Sequence, residues 1–177
     1  MTAAPRYAAA ARWLHWLTAG LLVVVIAAGL WIVFFEPRDE GFKLRLYNIH
    51  ESLGVIVFVL TIVRLMTRWR RPPPPLPADT PVLIEWSARV TQLSLYALLL
   101  LMPAIGFLAT NAWGFPLRVF DLIALPSPVG KDEALAATLS FLHACGAIAM
   151  GTLIGAHLGG AAYHTFVRRD NLMDRMT

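Results

Sequence analysis

Cysteine and charge are both scarce in this chain of 177 residues, and each scarcity excludes something. Cys145 is the single cysteine, so no disulfide can form within the chain. There is no C-x-x-C-H run, which excludes thioether attachment of a haem. Charged residues make up 15% of the sequence, and they are missing from long stretches. No Asp, Glu, Lys or Arg occurs from Trp13 to Phe35, from Val90 to Leu117 or from Ala134 to Val167, and Leu46 to Thr67 carries only Glu51 and Arg64. Apolar residues make up 58% of the chain against about 45–50% in a soluble domain.

Crossing the hydrocarbon of a bilayer takes roughly 20 helical residues. The runs are long enough and lack the alternation of barrel strands. Only helices or closed barrels satisfy their backbone groups in lipid. An all-α membrane protein follows, a single domain over 1–177 with four transmembrane helices at about 13–35, 46–67, 86–109 and 136–166. Arg6 and Arg12 could be the basic end of a cleaved signal peptide. The run after them exceeds the usual apolar core of about 7–15 residues, and no clear A-x-A site follows, so a retained helix is expected. Pro37 and Gly41 mark the first connection. Pro72 to Pro75 stop the second helix, because proline lacks the amide donor, and form a stiff linker. Asn111 to Asp132, with Gly114, Pro116, Pro126, Pro128 and Gly130, reads as a loop.

The net charge of +4 raises nucleic acid as a partner, but the basic residues sit at helix ends, where they read as a topology signal. One side collects 10 of the 15 Lys and Arg and the other 5. The richer side is expected to be cytoplasmic, with both termini there. All six tryptophans lie near helix ends, as in an interfacial aromatic belt.

Histidine is where the chemistry concentrates. His15, His50, His143, His157 and His164 all lie in or beside apolar helices, where ionisable groups are costly and usually serve function. The expected topology puts His50 and His143 near the outer face and His15 and His157 nearer the inner face. His143 and His157 are 14 residues apart, about 21 Å along a helix and on nearly one face. Two pairs at two depths, His50 with His143 and His15 with His157, suit two haems with bis-imidazole ligands. The third helix has no histidine and should not ligate. A zinc site would want four ligands, usually with Cys or carboxylates, and these are wanting. By depth His164 could replace His157, or stand beside a quinone headgroup, or be an interfacial histidine with no role. Arg64, 14 residues after His50, suits a haem propionate, as does Arg45 on the outer side; snorkelling is the plainer alternative for both. Gly54 and the many small residues of the fourth helix would let a flat macrocycle, or another helix, approach the backbone.

The blocks Arg12-Trp13-Leu14-His15-Trp16, Asn48-Ile49-His50-Glu51-Ser52-Leu53-Gly54, Leu142-His143, Gly155-Ala156-His157 and the tail Arg169 to Met176 resemble the bacterial cytochrome b561 family over nearly the whole length. The resemblance implies a four-helix inner-membrane protein with two non-covalent b-type haems on His15, His50, His143 and His157. In the similar stand-alone branch it implies oxidation of periplasmic superoxide with ubiquinone as acceptor. In other branches it implies a haem-bearing relay subunit of a hydrogenase or other dehydrogenase, with a redox partner protein and no substrate chemistry of its own. The two outer loops carry net charges of zero and −1, so steering of an anion must rest on local placement, such as Arg45 near His50.

Overall fold

The structure, a computed structural model, describes residues 6–35, 38–77 and 79–177. Pro37, expected in the first connection, and Glu36, one of its charges, lie outside them. The four apolar runs form α1 (Ala9–Phe35), α2 (Glu40–Arg70), α3 (Val82–Ala112) and α4 (Glu133–Ala162). All four are long and apolar enough to cross a membrane.

The helices run three to six residues past most of the expected ends. The charge-free stretch marks the part in hydrocarbon, whereas the backbone keeps its helical bonds out to the first available cap. Two caps are acidic side chains at the same end of the bundle. Asp39 Oδ1 accepts from the Phe42 amide at 2.6 Å, and Asp132 Oδ1 from the Leu135 amide at 3.0 Å. Helix α2 reaches Arg70 and stops at the proline run. Helix α4 ends before the expected residue 166 and passes into a π-helical turn, Tyr163–Arg168.

The segment expected to be a plain loop is more ordered than that. Asn111 and Ala112 complete α3, and β1 (Arg118–Val119) pairs antiparallel with β2 (Ile123–Ala124). The turn between them holds Phe120 and Asp121 at φ 49° and 59°, the left-handed region that favours tight hairpins. Phe120 N donates to the Oγ of the fully buried Ser52 at 2.7 Å, which fastens the hairpin onto α2.

The bundle is built from two hairpins, α1 with α2 and α3 with α4, joined along α2 and α3; α4 stands off from α1 and α2. Val57, Leu99 and Met150 form the buried core, with Leu21, Leu22, Val25, Leu95, Leu98, Met102 and Ile154 packed on it. Met150 lies seven residues from both His143 and His157, so this core sits between the two histidine levels. Large apolar side chains elsewhere are exposed on all four helices, as a lipid-facing surface requires.

The segment leading from Tyr7 into α1, the C-terminal tail and the proline linker meet at one end, called here the terminal end. Tyr7 N donates to the Arg175 carbonyl at 3.1 Å, Trp16 Nε1 to the Met176 carbonyl at 2.8 Å and Arg175 to the Pro75 carbonyl at 2.6 Å. The opposite, loop end carries the hairpin.

Candidate functional site

Four of the five histidines meet in two facing pairs. At the loop end His50 of α2 faces His143 of α4 with ring centroids 6.1 Å apart. At the terminal end His15 of α1 faces His157 of α4 at 6.2 Å. A metal between two imidazoles needs bonds of about 2 Å on either side, which with the distance from nitrogen to ring centre gives roughly 6 Å between centroids. Both pairs bridge helices that stand apart, α4 from α2 and α4 from α1. Opposed imidazoles across a slot between helices are the donor set of a bis-histidine haem. Among the described residues no three His, Cys, Asp or Glu side chains converge, so a zinc cluster has no donors.

The levels differ in what holds the rings. His50 Nδ1 lies 2.9 Å from the Val25 carbonyl; it donates there and leaves Nε2 with a lone pair. At the other level Arg64 reaches His15, its terminal nitrogen 3.1 Å from Nδ1. A guanidinium can only donate, so this contact puts the ring proton on Nε2. Coordination through Nε2 of His15 therefore requires Arg64 to move to another acceptor. Arg64 also lies over the Tyr96 ring, 5.3 Å from its centroid. Arg45 donates within its own helix, to the Gly41 carbonyl at 3.2 Å.

His164 is buried and points elsewhere. Its Nδ1 bonds Asp170 at 2.6 Å, and Asp170 also accepts from Arg168 Nε at 3.1 Å, which in turn reaches Asp79 at 2.8 Å. It joins the terminal-end cluster, and the ring facing His15 is His157.

The chain matches the model of the prokaryotic cytochrome b561 family over residues 6–177. It belongs to that family. It is 31% identical over 172 residues to cytochrome b561 homolog 2 of Escherichia coli K12, an alignment covering 97% of this chain and 90% of the relative. It is 30% identical over 163 residues to a probable superoxide oxidase, CybB, of Yersinia pestis, covering 92% of this chain and 90% of that protein. Escherichia coli cytochrome b561 homolog 1 is 26% identical over 175 residues, 97% of this chain and 96% of the relative. Membership brings b-type haem and membrane electron transfer.

Several residues that shape the site are not apparent in the sequence. Gly29 and Gly106 lie against His50 and His143. By contrast, a Cβ at Gly54, Gly151, Gly155, Gly159 or Gly160 would meet nothing within 4 Å of the protein, and Gly146 packs on Met102. Single glycines are ordinary in membrane helices, so nothing in the sequence distinguishes the two that carry the rings.

Proposed function

We propose that this cytochrome binds two b-type haems, on His50 with His143 and on His15 with His157, and passes electrons from periplasmic superoxide to ubiquinone. The carrying observation is the pair of opposed imidazoles at each level, spaced for one metal between them. Fourteen residues of α4 separate the levels, about 21 Å. Bound haem supplies one-electron transfer, and bis-imidazole ligation leaves no open position for oxygen chemistry at the metal. Balance requires two superoxide ions, one quinone and two protons to give two dioxygen molecules and one quinol.

The chain's own residues divide the remaining work. Arg64, which contacts His15 Nδ1, would be the counter-ion for a propionate if a haem were held at the terminal-end level. The Lys and Arg excess at the terminal end supports an orientation with that end on the cytoplasmic side of the bacterial inner membrane and the β-hairpin end outside. His164, held by Asp170, is not a metal ligand in this reading. Likeness to a probable superoxide oxidase supports the donor.

The test is the visible spectrum of purified protein with ubiquinone, exposed to enzymatically generated superoxide. The reading expects rapid haem reduction, abolished by superoxide dismutase, and stoichiometric quinol. A haem spectrum indifferent to superoxide refutes the donor and favours a relay subunit fed by a dehydrogenase partner.

A further inference from the structure

Each loop-end imidazole lies across a glycine of the neighbouring helix, once in each helical hairpin. His50 of α2 turns Nδ1 to the Val25 carbonyl of α1. That carbonyl already accepts the helical amide four residues on, at Gly29, and has a second lone pair free for the ring. To reach it the imidazole must lie across Gly29. A Cβ there would stand 3.0 Å from His50 Cε1 and 3.2 Å from Nδ1. In the other hairpin His143 of α4 lies against Gly106 of α3, the residue four beyond Met102. A Cβ on Gly106 would stand 3.2 Å from His143 Cε1 and 3.4 Å from Nδ1. His143 Nδ1 is buried and closes no hydrogen bond of normal geometry, and the Met102 carbonyl, four residues before Gly106, is the counterpart of Val25 in that hairpin. Of the chain's 12 glycines, these two are the ones whose missing Cβ makes room for an imidazole. The terminal-end pair has no counterpart, since His15 Nδ1 meets a guanidinium.

We infer that Gly29 and Gly106 are positioning residues for the loop-end haem, letting His50 and His143 turn Nδ1–H to a helical carbonyl with both Nε2 atoms left free to ligate. The inference rests on the haem assignment proposed above. A ligating histidine takes its tautomer, orientation and basicity from the partner of its other nitrogen. For His50 that partner is backbone, and His143 is assigned the same kind of partner; no side-chain substitution removes it, and a methyl group on either glycine is the lever that displaces the ring.

The experiment compares Gly29→Ala and Gly106→Ala with Gly20→Ala, a control on α1 whose added Cβ meets nothing within 4 Å. Electron paramagnetic resonance of the oxidised protein and potentiometric titration are read for each, with haem content. His143→Ala identifies the loop-end signal as the one that disappears. Either glycine variant is expected to shift that signal and its midpoint potential, or to lower its occupancy below half. The other haem and the Gly20→Ala protein should match the unsubstituted protein. Both variants at full occupancy with an unmoved loop-end signal and potential would overturn the positioning role. If neither variant accumulates, proton hyperfine spectroscopy on the unsubstituted protein in D2O decides: Nδ1 protons that persist at the loop-end haem support the role, and prompt exchange at both haems overturns it. Retention of both haems in His143→Ala would instead overturn the haem assignment itself.

Discussion

Replacing Asp170 by alanine should release the C-terminal tail from the terminal end of the bundle. Asp170 accepts from His164 Nδ1 at 2.6 Å, from Arg168 Nε at 3.1 Å and from the Leu172 amide at 3.2 Å. Its neighbours Arg169 and Asn171 are both in the left-handed region, at φ 54° and 56°, a conformation that costs a non-glycine residue energy and persists only where contacts impose it. Removing the carboxylate leaves the His164 donor buried without a partner, while Arg168 keeps Asp79. Hydrogen bonds to charged groups contribute about 1.5–3 kcal/mol, and breaking a buried pair costs about 3–5 kcal/mol. Because Arg168 stays paired, the loss should be about 2–4 kcal/mol. At about 1.4 kcal/mol per factor of ten, the tail would open roughly 30- to 700-fold more often. Hydrogen exchange by mass spectrometry on the detergent-solubilised protein reads this directly, with faster exchange over residues 169–177 and unchanged exchange in the middle of α2. Asp170→Asn, which keeps an acceptor oxygen, should lose much less. Equal protection of the tail in Asp170→Ala and the unsubstituted protein would refute the reasoning.

Acid should act on the same contact. Burial alone would push the Asp170 carboxyl up, but the bonds from His164 and Arg168 prevail and hold it below the usual range. A depressed carboxyl contributes stability that is present above its unfolded value of about 3.9 and is lost as pH falls through the folded value. Pepsin should therefore cut the tail increasingly below about pH 3.9 and leave it intact above. Ser52→Ala removes the acceptor of the Phe120 amide and should loosen the hairpin by about 1–2 kcal/mol, read as faster exchange of Phe120 with α2 unchanged. Gly146→Ala sets a methyl group against Met102 Sδ where α3 meets α4, and overpacking there should cost about 1–3 kcal/mol of thermal stability. His164→Ala should keep full haem content, whereas His157→Ala should lose half of it by pyridine haemochrome assay.

The four helices were legible because charge is so cleanly absent from the apolar runs, and the missing alternation ruled out a barrel. Their ends were not, since Asp39 and Asp132 cap helices outside the charge-poor runs. Both histidine pairs came from depth alone. Seven residues separate His157 from His164, which left two candidates on one face, and the fold separates them through Asp170, a residue beyond α4 with no periodic relation to either. The small residues of α4 stand out in the sequence whereas Gly29 and Gly106 do not, because only the packed hairpins show which missing Cβ meets a ring. The fold of Arg175 back under Pro75, 100 residues away in sequence, has no local signature at all.

Haem stoichiometry tests the central claim most directly, measured per chain in the purified protein and in His143→Ala and His157→Ala. Two haems in the unsubstituted protein and one in each variant is the predicted result. One haem in the unsubstituted protein, or two retained in either variant, would contradict the assignment of the paired histidines.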